Sequence, residues 1–298
     1  MNEILLGPEQ QRWPRRAFFK RMIWNAACSC ALGGLFAWRL EDYWLRIEKR
    51  QMPLRGLGNQ FDGATLAHVS DLHCSPIVLE QYLHQCVDEI NSLDVDFVAI
   101  TGDFITGPKP YARRVARIVG RLRPRIASVA CLGNHDYGML HRNGLGAARG
   151  LSHYLYEQLS RADVFVMMNE SRIFRRGGSV IQFVGVEDYW SDRYDPPLAF
   201  EMVNRHMPTI ALCHNPDAAM EVSRLGADWV LSGHTHGMSL PVSRLGNIAR
   251  PTENDRFTAG QYNLDDGKFL YVNRGLGYGR RWKRRARPEI TLFTLRSA

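Results

Sequence analysis

Five short apolar runs, each ending in a cluster of Asp, His, Asn and Gly, constrain this 298-residue chain more than any other feature. Residues 64–69 lead into Ser70-Asp71-Leu72-His73, and residues 97–100 into Thr101-Gly102-Asp103. Residues 126–131 lead into Leu132-Gly133-Asn134-His135-Asp136. Residues 209–213 precede His214-Asn215-Pro216, and residues 229–231 precede Ser232-Gly233-His234-Thr235-His236. Short runs of this kind, often β-branched, are the pattern of buried strands.

Between the first runs, residues 78–90 and 111–121 have helical periodicity, with Pro76, Pro108 and Pro110 near their starts. Asp71 to Asp103 spans 32 residues and Asp103 to Asn134 spans 31, each the size of one βαβ unit. Parallel strands deliver such clusters to one carboxyl edge, where open α/β sheets bind ligands. Further along, residues 172–176 and 179–186 flank Gly177-Gly178 as a hairpin, and residues 269–272 follow an Asp265-Asp266-Gly267 turn, so this part is expected to be antiparallel.

The edge therefore collects Asp71, His73, Asp103, Asn134, His214, His234 and His236. Carboxylates and imidazoles with one amide suit borderline divalent ions such as Zn²⁺, Mn²⁺ or Fe²⁺ rather than Ca²⁺. In Asp-x-His and His-x-His the two side chains point the same way along an extended chain. His68, His84, His141, His153 and His206 stand outside the pattern and are read as surface or capping residues.

The five clusters in this order resemble the calcineurin-like metallophosphoesterase family over about residues 63–295. The resemblance implies a four-layer α/β/β/α sandwich and two divalent metal ions. Asp71, His73 and His236 would hold one ion and Asn134, His214 and His234 the other. Asp103 would bridge them, and His135 would stand beside the substrate, stabilising or protonating the departing oxygen. Thr106 replaces a second Asp found in many members, and Asp136 a commoner Glu. The closing stretch Tyr271-Val272-Asn273-Arg274-Gly275-Leu276-Gly277, with Arg287-Pro288-Glu289-Ile290-Thr291, resembles one branch in particular. That branch holds membrane-associated bacterial phosphoesterases and enzymes that cleave UDP-2,3-diacylglucosamine in lipid A synthesis.

The ends of the chain point to a membrane. Lys and Arg outnumber Asp and Glu by 9 to 5 in residues 1–50 and by 7 to 1 in residues 280–298, while residues 51–279 carry 22 against 24. A near-neutral body argues against nucleic acid as partner, and basic ends favour an anionic membrane surface. Arg15-Arg16-Ala17-Phe18-Phe19-Lys20 resembles a twin-arginine export signal. Behind it, residues 22–38 form an uncharged run of 17, a helix of about 26 Å at about 1.5 Å per residue. Leu40, Tyr43, Trp44 and Ile47 then make one apolar helical face, as in an interfacial helix. No convincing cleavage site follows. The expectation is an uncleaved apolar anchor helix and interfacial helix in residues 1–50 and a metallophosphoesterase domain in residues 51–298. It places the protein at a bacterial inner membrane, with the cytosolic face favoured over the periplasmic one.

The basic run Arg280-Arg281-Trp282-Lys283-Arg284-Arg285-Ala286-Arg287 is read as a contact for anionic headgroups or a substrate pyrophosphate. Six cysteines without a CxxC pair are read as free thiols. The expected function is hydrolysis of a phosphate-ester lipid, UDP-2,3-diacylglucosamine, to UMP and the lipid monophosphate. Two readings compete with it: an exported phosphodiesterase or phosphomonoesterase of broad specificity, and a catalytically silent binding scaffold.

Overall fold

A computed structural model describes residues 22–24, 29, 44–237, 256–277 and 287–298. The chain divides into two compact units, residues 1–42 and 43–298. In the second unit two six-stranded sheets carry helices on their outer faces. The strands are β1 (Arg46–Leu54), β2 (Thr65–Ser70), β3 (Phe97–Thr101), β4 (Ala127–Cys131), β5 (Val164–Val166), β6 (Glu170–Arg176), β7 (Ser179–Gly185), β8 (Thr209–Leu212), β9 (Trp229–Ser232), β10 (Gly260–Asn263), β11 (Phe269–Val272) and β12 (Glu289–Ser297). The helices are α1 (Glu80–Ser92), α2 (Pro110–Val119), α3 (Leu151–Ser160), α4 (Pro196–Phe200) and α5 (Ala219–Leu225). The first sheet runs β1-β12-β2-β3-β4-β5 and the second β10-β11-β9-β8-β7-β6.

Period-two alternation builds the layers. On β3, Phe97 and Ala99 face the space between the sheets, while Val98 and Ile100 face the first helical layer. On β9, Trp229 and Leu231 face inward and Val230 faces the second helical layer. Tyr82, Leu83, Cys86, Val87 and Ile90 of α1 form one buried stripe, and Ala112, Val115, Ala116 and Val119 of α2 another. Pro110 opens α2 in the first turn, where its missing N–H has no helical partner to lose. The result is the four-layer α/β/β/α sandwich expected from the sequence.

The hairpin of β6 and β7 is antiparallel, as expected. β10 and β11 are likewise antiparallel across the Asp265-Asp266-Gly267 turn, but this orientation is confined to the edges of the second sheet, which is less antiparallel than the later segments suggested. β7, β8, β9 and β11 are mutually parallel, and only the edge strands β6 and β10 run against them. Strand-ending clusters of both sheets are thereby brought to carboxyl edges.

The sequence-based helix through Ile47 is also corrected. Residues 46–54 form strand β1, parallel to β12, which itself lies antiparallel to β2. Four apolar residues at helical spacing are a short pattern, and cross-strand pairing with burial of Met52 and Leu54 between the sheets outweighs it. β1 is an edge strand, which accommodates Pro53 and the exposed charges of Arg46, Lys49 and Arg50. This first strand begins before the boundary drawn at residue 51. Leu40, Tyr43, the arginine pair, most of the apolar run 22–38 and residues 280–286 lie outside the described residues. Among the described residues, no helix is long and apolar enough to cross a membrane. Cys74, Cys86, Cys131 and Cys213 are buried free thiols.

Candidate metal centre

Every candidate residue sits immediately after a strand of the sandwich, and the backbone there is unusual. Nine non-glycine residues among those described have positive φ, and five of them are Asp71, His73, Asp103, His234 and His236. A left-handed conformation disfavours an L-residue by roughly 1–2 kcal/mol. Strain concentrated on five of the seven candidates marks a site whose geometry is over-determined by its surroundings.

Main-chain hydrogen bonds hold these loops together beyond the strand ends. Asp71 N donates to Gly102 O at 3.0 Å, His73 N to Asp103 O at 2.9 Å and Cys74 N to Phe104 O at 2.9 Å. The stretch after β11 backs Asp71: Leu276 N donates to Ser70 O and Gly277 N to Asp71 O, at 2.9 and 2.7 Å. Two glycines permit close approach. A Cβ on Gly133 would stand 2.4 Å from Asp103 Oδ1, and one on Gly233 1.8 Å from Ser70 Oγ and 2.4 Å from Asp71 Oδ2.

The side chains converge in two halves. Asp71, His73 and His236 present ligand atoms within 4.8 Å of one another, and so do Asp103, His214 and His234. Asp103 joins the halves, its Oδ2 lying 3.6 Å from His73 Nε2 and 3.3 Å from His214 Nε2. The imidazoles meet nitrogen to nitrogen, His73 Nε2 to His236 Nε2 at 2.9 Å and His234 Nδ1 to His214 Nε2 at 3.2 Å. Such contacts need a proton or a cation between the lone pairs. Ligands about 2.0–2.1 Å from one cation stand about 3.0–3.4 Å from each other.

Asn134 donates through Nδ2 to Met139 O at 2.8 Å, leaving its Oδ1 buried without a hydrogen bond. Asp71 Oδ1 is likewise buried and accepts none. Two carboxylates, four imidazoles and an orphaned amide oxygen fit a pair of borderline divalent cations.

Charge follows the geometry. Burial works against a charged Asp103, but His214, His135 and His73 outweigh it and hold the carboxyl well below the usual range. Burial likewise opposes a charged His214, and Asp103, with Asp71 and Asp188, holds that imidazole well above its ordinary value. His135 moves the other way: burial lowers it despite Asp103. His135 is partly exposed, donates its main-chain N–H to Asp103 Oδ1 at 2.9 Å and stands edge-on to His73 with ring centroids 5.0 Å apart.

Several supporting residues were given no role by the sequence, although Asp136 stood within one of its clusters. Asp136 accepts from Gly133 N and Ile105 N at 2.9 and 3.2 Å, tying the loops of β3 and β4, while burial and Asp103 push its carboxyl up to about 8. Asp188, pushed up to about 6 by burial, accepts from Trp190 N at 2.9 Å. Trp190 packs edge-on against His234 with centroids 4.8 Å apart. His68, read from sequence as a surface or capping residue, is fully buried, with Nε2 at 2.8 Å from Thr101 Oγ1. It lies inside the apolar run 64–69, between buried Ala67 and Val69, and its place in that buried strand was the overlooked signal.

The model of the calcineurin-like phosphoesterase family matches residues 64–238, which include all seven candidates and His135. The chain belongs to this family. A curated relative, the uncharacterized metallophosphoesterase YkuE of Bacillus subtilis (strain 168), is 30% identical over 96% of this chain and 99% of its own length. The UDP-2,3-diacylglucosamine pyrophosphatase LpxG of Chlamydia trachomatis serovar D is 28% identical over 87% of this chain and 92% of its own. The phosphodiesterase YaeI of Escherichia coli (strain K12) is 28% identical over 76% of this chain and 80% of its own. A calcineurin-like phosphoesterase with this site is a metal-dependent phosphohydrolase.

Proposed function

We propose that Asp71, His73, Asp103, Asn134, His214, His234 and His236 hold two divalent cations, and that the chain hydrolyses UDP-2,3-diacylglucosamine to UMP and the lipid monophosphate at a membrane surface. The observation that carries the metal reading is the single Asp103 Oδ2 set between His73 and His214. When bound, the cations supply Lewis acidity, neutralising phosphoryl oxygens and lowering the pKa of water. The chain's own residues do the rest. Asp71 and the loops after β9 and β11 fix one half, while Gly133, Asn134 and Asp136 fix the other. His135 faces the reacting phosphoryl group from its partly exposed position and stabilises or protonates the departing oxygen.

The substrate reading is supported by similarity to LpxG and by the loops around the centre. Ile77 and Leu79, just beyond Asp71 and His73, are 71% and 54% exposed; Leu140 and Leu145, just beyond His135, are 59% and 63% exposed. Large apolar side chains in the loops that leave the candidate ligands suit an amphiphilic substrate better than a soluble one. The basic ends and the uncharged N-terminal run support attachment to an inner membrane, with the cytosolic face favoured. Similarity to YaeI favours a second reading, a phosphodiesterase of wider specificity.

Incubating the purified full chain with UDP-2,3-diacylglucosamine and Mn²⁺, followed by mass spectrometry, separates the two. UMP and lipid monophosphate are expected. Turnover of activated phosphodiesters without attack on the lipid nucleotide would favour the second reading.

A further inference from the structure

The loop pairing after β2 and β3 continues past the candidate ligands. Cys74 bridges Ile105 in parallel fashion, and Thr106 N donates to Cys74 O at 3.2 Å. This register sets Thr106 beside His73, whose Nδ1 lies 2.7 Å from Thr106 Oγ1. The opposite nitrogen, Nε2, faces His236, Asp71 and Asp103 at 2.9, 3.6 and 3.6 Å.

An imidazole that ligates through Nε2 must carry its proton on Nδ1. A partner at Nδ1 decides whether that tautomer and ring orientation persist. His214 is served by a main-chain group, its Nδ1 standing 2.8 Å from Thr101 O, which no substitution removes. His73 relies on a side-chain hydroxyl, which accepts from Nδ1–H and keeps a proton of its own to donate. Without that acceptor the proton is free to move to Nε2, the position that faces the other ligands.

We infer that Thr106 is a positioning residue that holds His73 in the Nδ1–H tautomer and thereby sets how tightly the cation of the Asp71, His73 and His236 half is bound. The inference rests on the metal reading given above and assigns it a residue that no ligand motif includes.

The test is a Mn²⁺ titration of the chelator-stripped full chain, followed calorimetrically, in wild type, Thr106→Val and Thr106→Ser, with the melting temperature of each stripped protein measured alongside. Thr106→Val is expected to weaken one of two Mn²⁺ binding events by about 10- to 100-fold, the range for outer partners of ligating histidines. Thr106→Ser should stay within about threefold of wild type, because it keeps the hydroxyl, and the stripped proteins should melt together. Thr106→Ala removes the hydroxyl without a second methyl and gives the same reading if Thr106→Val does not fold.

Unchanged Mn²⁺ affinity without the hydroxyl overturns the inference while leaving the metal reading intact. An equal loss in Thr106→Ser, or weakened binding that tracks a lower melting temperature of the stripped protein, overturns it in favour of a packing role. Wild type that takes up no Mn²⁺ removes the metal reading itself, and this inference with it.

Discussion

Phe97 and Asp103 are six positions apart, one on β3 and one in the loop that follows, and their surroundings obey opposite rules. Phe97 is fully buried between the sheets among Phe61, Phe174 and Phe183, with ring centroids 5.1–6.1 Å away. Asp103 is equally buried but lies among histidines, in a left-handed conformation. The inter-sheet layer gathers apolar side chains in ordinary strand geometry. The carboxyl edge gathers strain, orphaned acceptors and facing imidazoles. A fold supports such an edge only when the layer beneath it is rigid, so stability and chemistry should separate when each region is perturbed in turn.

The largest effect is expected at the junction of the two halves. Asp103→Ala should remove both halves' shared carboxylate, lower turnover by more than the roughly 100-fold typical of outer-partner substitutions and reduce bound metal below two per chain, as read by kinetics and elemental analysis. Next, His135→Ala should lower turnover by about 10²- to 10⁴-fold while metal content stays near two. Full activity in that variant would remove the role given to His135.

Phe97→Ala tests the other region. It should reduce unfolding free energy by about 3–5 kcal/mol in denaturant titrations, with the metal content of the remaining folded protein unchanged. Metal loss in folded Phe97→Ala would show that the two regions are not separable. The smallest effect is expected on the surface: Glu80, which pairs with Arg114 and Arg117 across partly exposed side chains, should change stability by under about 1 kcal/mol as Glu80→Gln.

The same contrast explains what the sequence disclosed. Runs that end in Asp71, Asp103, Asn134, His214 and His236 were legible because strand periodicity and ligand chemistry mark them independently. Helices α1 and α2 were legible through their apolar stripes and Pro110. The parallel placement of β7 and β11 beside β8 and β9 was not, because strand direction depends on long-range connections rather than local pattern. β1 was hidden because its partner β12 lies more than two hundred residues away, while its local spacing imitated a helix. Asp188 and Trp190 escaped, and Thr106 was noted without a role, for a related reason: each acts through a neighbour brought close only by the fold.

The place of β12 has a consequence for synthesis. The last of the described strands lies between β1 and β2, parallel to the former and antiparallel to the latter. Among the described strands β1 therefore has no partner until Glu289–Ser297 have been made, whatever β2, β3 and β4 have already achieved. Sheets closed by such sequence-distant pairings form slowly. A ribosome stalled before Glu289 would leave β1 without its ladder and one side of β2 uncovered, a nascent species suited to chaperone capture rather than to catalysis.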